Sequence, residues 1–178
     1  MTETTPAFLL RTTKLTETSL IVTWFTQAHG KLKTVAKGAR RMKSPFAGKL
    51  DLFFDCEITF HRSMKSELHL LKEVALRNPF DGLRRDFGRV LLASYFAGLT
   101  DLATEPEHEA PELYDLLRRA LTYLDTGTAD KRAMLHFESE LCRLLGIRVE
   151  KKQSPAMAIG HVCGRLPPER GELLARLK

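Results

Sequence analysis

From Leu50 to His61 the chain alternates. Leu50, Leu52, Phe54, Cys56, Ile58 and Phe60 fall on one side, and Asp51, Phe53, Asp55, Glu57, Thr59 and His61 on the other. A period of two predicts a strand with one buried face. Shorter runs precede it. Phe8–Arg11 is an apolar start, and Leu20–Phe25 is rich in β-branched and aromatic residues that favour strands. His29-Gly30 breaks that run, and Lys31–Lys37 resumes with Lys31, Lys33, Val35 and Lys37 on one face and Leu32, Thr34 and Ala36 on the other. Ser63–Glu67 reads as a polar turn and Leu68–Val74 as a fifth apolar run. Five short strands within residues 1–78 predict a small closed barrel of the oligonucleotide-binding (OB) type; an SH3-like barrel or an open sheet fits the same pattern.

After Asn78-Pro79 the period becomes helical, with Asn78 as the expected cap and Pro79 as the first helical residue. Phe80, Leu83, Phe87, Val90 and Leu91 make one stripe. Leu113, Leu116, Leu117, Ala120, Leu121 and Leu124 make a second, on a helix starting near Pro111. Thr128 is the expected cap of a third helix, whose stripe is Met134, Phe137, Leu141, Leu144 and Leu145 and whose end is Gly146. No amphipathic helix buries its stripe alone, so residues 79–150 are expected to form a small bundle docked on the barrel. The linker Leu102–Ala110 is acidic and expected to be exposed. Residues 151–178 read as a reduced terminal segment: a loop through Pro155, an interruption at Pro167-Pro168, and one or two helical turns in Glu172–Leu177. The expected class is α+β.

Charge sharpens this picture because it is local. Residues 1–78 hold 13 Lys and Arg against 7 acids, and residues 79–178 hold 15 against 15, so the net +6 belongs to the first segment. Between Thr18 and Leu50 lie seven cations (Lys31, Lys33, Lys37, Arg40, Arg41, Lys43 and Lys49) and no acid. A confined basic excess is a focused potential for a polyanion, of which nucleic acid is the commonest. The polar start and the lack of any long apolar run predict no leader and no membrane partner, hence a cytoplasmic protein.

In Val35–Phe46, Gly38 followed by Lys43-Ser44 superficially resembles a phosphate loop, but the second glycine and the spacing of a Walker motif are missing. The same residues suit contact with a sugar-phosphate backbone, with Gly38 allowing a tight turn. Five such contacts to a single strand give a salt slope of about −3.5. Phe53, which the alternation turns away from the core, and Phe46, just beyond the basic loop, are candidate stacking platforms for bases. The competing reading is a solvated basic loop without a ligand.

Cys56, Cys142 and Cys163 are far apart and form no C-x-x-C pair, so neither a disulfide framework nor a zinc site is expected. No cofactor is expected either. Asp51, Asp55 and Glu57, on one strand face, are the only acids that suggest a Mg²⁺ nuclease, and no nucleophile with a base is evident. Besides DNA binding, two alternatives stand: an adaptor whose basic face meets an acidic protein, and a metal-dependent nuclease.

The order Ser19-Leu-Ile-Val-Thr-Trp-Phe-Thr26, His29-Gly-Lys-Leu32, Ala36-Lys-Gly-Ala-Arg-Arg-Met-Lys-Ser44 and Gly48-Lys-Leu50 resembles the RecO family of bacterial recombination mediators. His136-Phe-Glu-Ser-Glu-Leu-Cys-Arg-Leu-Leu-Gly146 is similar to the family's Phe-Glu-x-x-Leu-Leu-x-x-Leu-Gly pattern. The resemblance implies an OB barrel and a helical domain that together bind single- and double-stranded DNA. It further implies annealing of complementary strands and help in loading the RecA recombinase, with RecR and the C-terminal tail of single-stranded DNA-binding protein as partners. The family's basic motif carries over to Lys37, Arg40, Arg41 and Lys43, with Lys31 and Lys33 on the adjoining strand. Many members continue into a four-cysteine zinc module, where this chain offers only Cys163-Gly164.

Overall fold

The computed structural model describes residues 1–177. Two compact units divide the chain: Met1–Pro79 together with Thr104–Pro111, and Phe80–Ala103 together with the chain from Glu112 onward. The architecture is α+β.

The first unit is a closed five-stranded barrel: β1 (Thr2–Lys14), β2 (Leu20–Thr26), β3 (Gly30–Ala36), β4 (Asp55–His61) and β5 (Leu68–Asn78), in the order β1-β2-β3-β5-β4. All pairings are antiparallel except β3 with β5. Closure depends on β1, which is far longer than its apolar centre suggests. Thr2–Phe8 pairs with β4 and Ala7–Lys14 with β2, and the register shifts between Leu9 and Arg11. A bulge bends a strand and raises its twist, which lets one strand serve two neighbours around a barrel.

Alternation fills the interior with Ala7, Leu9, Val22, Trp24, Leu32, Ala36, Cys56, Ile58, Phe60, Leu71 and Val74. The one polar edge among the aromatics is satisfied, since Trp24 Nε1 donates to Thr34 Oγ1 at 2.8 Å. The β2–β3 turn closes on Gly30 at φ +60°, where a Cβ would fall 1.8 Å from the His108 carbonyl oxygen. The acidic linker accounts for this close approach: Glu107 N–H donates to Lys31 O at 2.7 Å, and Pro106 makes a single parallel bridge to Lys31. Of the expected linker Leu102–Ala110, residues 105–109 are exposed, whereas Leu102 and Ala103 belong to the preceding helix and Thr104 is buried.

The alternation of residues 50–60 becomes strand only from Asp55. Phe53 adopts φ +68° and its N–H donates to Leu9 O at 2.9 Å, so the chain turns there and the strand phase is lost. Leu52 is consequently 40% exposed, and Phe53, expected to face outward, is 4% exposed.

The second unit holds α1 (Phe87–Ala103), α2 (Pro111–Thr126), α3 (Lys131–Leu144), α4 (Pro155–Cys163) and α5 (Glu169–Arg176), preceded by a 3-10 turn at Leu83–Arg85. Three expectations are corrected. The first helix begins at Phe87 rather than at Pro79, because β5 runs to Asn78 and Asp86 supplies the cap, its Oδ1 accepting from Arg89 N–H at 2.9 Å. Asp130, not Thr128, caps α3 by accepting from Ala133 N–H at 2.7 Å. The expected loop ends at Ser154, since Pro155 opens α4 (Pro155–Cys163); Ser154 accepts from Met157 N–H at 3.2 Å and Gly164, at φ +76°, ends the helix.

Glu138 interrupts the apolar stripe of α3 and is fully buried. Tyr95 Oη donates to its Oε1 at 2.8 Å and Arg170 Nε at 2.9 Å, joining α1, α3 and α5 through one carboxylate.

Candidate nucleic-acid interface

Residues 37–54 connect β3 to β4 as overlapping turns, with backbone N–H bonds from Ala39 to Ala36, Arg41 to Gly38, Ser44 to Arg41, Ala47 to Ser44 and Lys49 to Phe46. A loop of this length is ordered only if something holds it. Two sets of contacts do so. Phe46 and Phe54 enter the barrel interior, where Ala39 and Leu50 also pack. On the other side the loop is tied to the polar β1–β2 turn: Arg40 N–H donates to Thr18 O at 3.0 Å, Arg40 Nη1 to Glu17 O at 3.1 Å, and Gly38 N–H to Ser19 Oγ at 3.4 Å. The Arg41 stem lies over Gly38, whose φ is +69°.

The consequence is a cationic crest. Lys37, Arg40, Arg41 and Lys43 are exposed and share this loop, while Lys49 is half-buried farther along it. Lys31 and Lys33 lie half-buried on β3, whose Leu32, Thr34 and Ala36 point inward, so the strand face anticipated for them is present. Lys37 lies one residue beyond the strand. Among the described residues, none of Lys33, Lys37, Arg40, Arg41, Lys43 and Lys49 lies within ion-pair distance of a carboxylate. A lysine or arginine kept out of internal pairs retains its full attraction for an outside anion.

The aromatic expectation does not survive. Phe46 is 5% exposed and Phe53 4%, so neither presents a ring to solvent for a base to stack on. The Phe46 ring anchors the loop in the barrel interior instead, and Phe53 is buried where its N–H meets Leu9 O. On β2 the positions beside β3 are closed as well: Thr23 is 3% exposed and Phe25 is fully buried.

A second polar set lies at the opposite end of β4. Arg62 Nε reaches Glu3 at 2.6 Å, and its Nη1 pairs with Glu107. His69 is 1% exposed; its Nδ1 accepts from Ser63 N–H at 3.2 Å, so Nε2 carries the proton and donates to Glu107 at 3.1 Å. His29 Nε2 meets Glu3 at 3.1 Å. The Arg62 guanidinium holds the Glu3 carboxyl below its ordinary value, an effect that outweighs partial burial, and Glu3 together with Glu107 raises Arg62. The Arg62 cation is internally matched, and this polar set belongs to the fold.

The remaining candidate chemistry is not assembled. Asp51 sits in the loop rather than on β4 with Asp55 and Glu57, which removes the shared strand face behind the nuclease alternative. No group of three metal-ligating side chains gathers among the described residues. Burial pushes the Cys56 thiol up to about 12 and also raises Cys142, as for unreactive core thiols, and partial burial raises Cys163.

Sequence reasoning missed the Glu17–Ser19 anchor, although the polar run Thr16-Glu-Thr-Ser19 marked the turn. It also missed a groove of about 680 Å³ between α2 and α3. Leu116, Tyr123, Leu135 and Phe137 line it, with Arg119, Arg132 and His136 among its polar groups.

A closed barrel of the OB type with a cationic β3–β4 loop, followed by a helical unit, defines a two-unit OB-barrel protein. Its sequence narrows the class to one family. Residues 1–80 match the family description "Recombination protein O N terminal" and residues 84–154 match "Recombination protein O C terminal". The DNA repair protein RecO of Rhodopirellula baltica is 38% identical over 159 residues, 89% of this chain and 57% of that protein. That of Syntrophus aciditrophicus is 33% identical over 162 residues, 91% of this chain and 60% of that protein. That of Desulfatibacillum aliphaticivorans is 39% identical over 129 residues, 72% and 50% respectively. The chain belongs to the RecO family of DNA repair and recombination proteins, and it spans less than two thirds of the length of these curated relatives. No helix among the described residues is long and apolar enough to cross a membrane.

Proposed function

We propose that this chain binds single- and double-stranded DNA through the β3–β4 loop and β3 of its barrel, and promotes annealing of complementary strands without making or breaking covalent bonds. Arg40, Arg41, Lys37 and Lys43 are the principal contacts, with Lys31, Lys33 and Lys49 extending the track. The observation that carries the reading is the anchored crest of exposed cations without carboxylate partners in a RecO-family chain. Neutralising phosphates lowers the repulsion between two strands, which acts over a Debye length of about 8 Å at physiological salt. The setting is recombinational repair in the bacterial cytoplasm, with RecR as the partner in assisting RecA loading.

Salt titration of binding to single-stranded and duplex DNA tests this. The wild-type protein should lose affinity roughly a hundredfold on single strands between 50 and 200 mM salt. The Arg40→Ala/Arg41→Ala protein should bind more weakly, with a flatter slope. Unchanged binding in that variant would remove the loop as the contact and favour an adaptor for an acidic protein.

A second contact follows from the α2–α3 groove. Its basic Arg119 and Arg132 suit an acidic tail, the chemistry that the family resemblance implies for the C-terminus of single-stranded DNA-binding protein. Arg132 is exposed and unpaired among the described residues, whereas Arg119 pairs with Asp115 at 2.8 Å. Loss of tail-peptide binding on Arg132→Glu, with DNA binding retained, is the expected result.

A further inference from the structure

The crest of the basic loop carries one apolar side chain that the fold leaves unused. Met42 is 102% exposed, between the exposed Arg41 and Lys43. The loop's other large apolar groups are mostly occupied: Phe46, Phe53 and Phe54 are buried and Leu50 packs on the core. A lone exposed methionine is ordinary on a protein surface. This one lies in a loop with four exposed cations, Lys37, Arg40, Arg41 and Lys43, of which Arg41 and Lys43 are its immediate neighbours and would bring a phosphate backbone to it. Its support is also firm, because the residues before it are hydrogen-bonded to the Glu17–Ser19 turn and those after it are plugged into the barrel by Phe46.

We propose that Met42 is a wedge that enters the base stack of the bound strand, while the flanking cations hold the phosphates on either side. The inference rests on the reading of this loop as the DNA contact. Methionine is among the apolar side chains that insert between base steps, and its unbranched, polarisable thioether adapts to an irregular gap. Separating a step costs a few kcal/mol, which a loose loop tip would avoid by moving aside. The hydrogen-bonded base of this loop resists that movement, and the cations supply the offsetting attraction. Bases held apart present their pairing edges to an incoming complementary strand, so the wedge would assist nucleation of the duplex.

The test uses the full chain and a single-stranded oligonucleotide carrying 2-aminopurine at one interior position, whose fluorescence rises when it unstacks. Saturating wild-type protein should raise the signal, and Met42→Leu should preserve the rise. Met42→Ser should lose most of it and slow annealing, with the salt slope of the wild type retained. Met64 serves as the control: it is 90% exposed beside Lys65, on the loop leaving the other end of β4, and Met64→Ser should keep the rise. A full rise with Met42→Ser at saturation overturns the wedge. So does an absent rise in wild-type protein that binds DNA, whereas failure of the wild type to bind at all overturns the DNA-contact reading itself.

Discussion

The Arg40 guanidinium donates to the backbone carbonyl of Glu17 at 3.1 Å, across the space between the basic loop and the β1–β2 turn. Arg40 is therefore both a cation of the crest and one of its anchors, while Arg41 lies over Gly38, exposed and, among the described residues, without a carboxylate partner. Replacing Arg41 by Ala should lower the single-strand salt slope by about 0.7 and leave thermal stability unchanged. Arg40→Ala should change the slope similarly and also cost up to about 1 kcal/mol, since a solvent-accessible hydrogen bond is lost. Anisotropy titrations across salt, paired with thermal melts, separate the two.

Inside the barrel, Thr34 is fully buried and exists to receive the Trp24 indole. Thr34→Val preserves the shape and strand propensity but strands a buried N–H. A loss of about 1–3 kcal/mol is expected in urea denaturation, because an unsatisfied buried donor forfeits its hydration without replacement. DNA affinity per folded molecule should not change, as the side chain faces away from β3's lysines.

Glu3 gives the barrel an acid dependence. Its folded carboxyl lies below the ordinary value of 4.5, chiefly through the hydrogen bond from Arg62. A depressed carboxylate contributes stability above its unfolded value, and that contribution is lost as pH falls through the folded value. Wild-type stability should therefore fall as pH drops below about 4.5, in the range where such a group protonates. Arg62→Met should be less stable at neutral pH and show a flatter acid limb, because the group that depresses Glu3 is gone. Denaturation midpoints measured from pH 3 to 7 check the sign.

Much of the barrel was legible because strand alternation in residues 30–36 and 55–60 matches burial directly, and because the β-branched and aromatic run of residues 20–25 forms β2. The misreadings have local causes. Residues 50–53 continue the two-residue period of β4 without belonging to it, and only the positive φ of Phe53 reveals the break. A pattern of side-chain types cannot report that reversal, so Phe53, read as facing outward, is buried, while Phe46 folds back into the barrel interior. Helix starts failed where two capping residues competed: Asn78 against Asp86, and Thr128 against Asp130. The α4 helix was signalled by Ser154-Pro155 and Gly164, but its nine residues are too short for a clear stripe. The cationic crest was readable from charge alone, yet its geometry depends on hydrogen bonds to a turn twenty residues away.

The carboxylate of Glu138 lies at the meeting of three helices, fully buried, with Tyr95 and Arg170 as donors. Burial and the adjacent carboxylate keep the Tyr95 hydroxyl protonated far above its ordinary range. Glu138→Ala should cost about 3–5 kcal/mol, because Arg170 would lose its counter-charge and Tyr95 its acceptor. Glu138→Gln should fall between wild type and Ala. Thermal denaturation reads both, and equal stability of all three proteins would show that the carboxylate is not holding the helices together.

Phe46 connects barrel stability to the proposed DNA contact. Its ring is 5% exposed within the interior cluster, its N–H donates to Ser44 Oγ at 3.1 Å, and its carbonyl accepts from Lys49 N–H at 3.0 Å. Phe46→Ala should therefore have two separable effects. Loss of the buried ring should cost about 3–5 kcal/mol in denaturant. Release of the loop should also weaken DNA binding at temperatures where the protein is still folded, since cations on a mobile loop must lose conformational freedom when they bind. Phe46→Leu keeps most of the buried volume and should recover both properties in large part. If Phe46→Ala were destabilised yet bound DNA with wild-type affinity and salt slope, the cations would act merely as a tethered charge cluster, and the ordered crest would have no part in recognition.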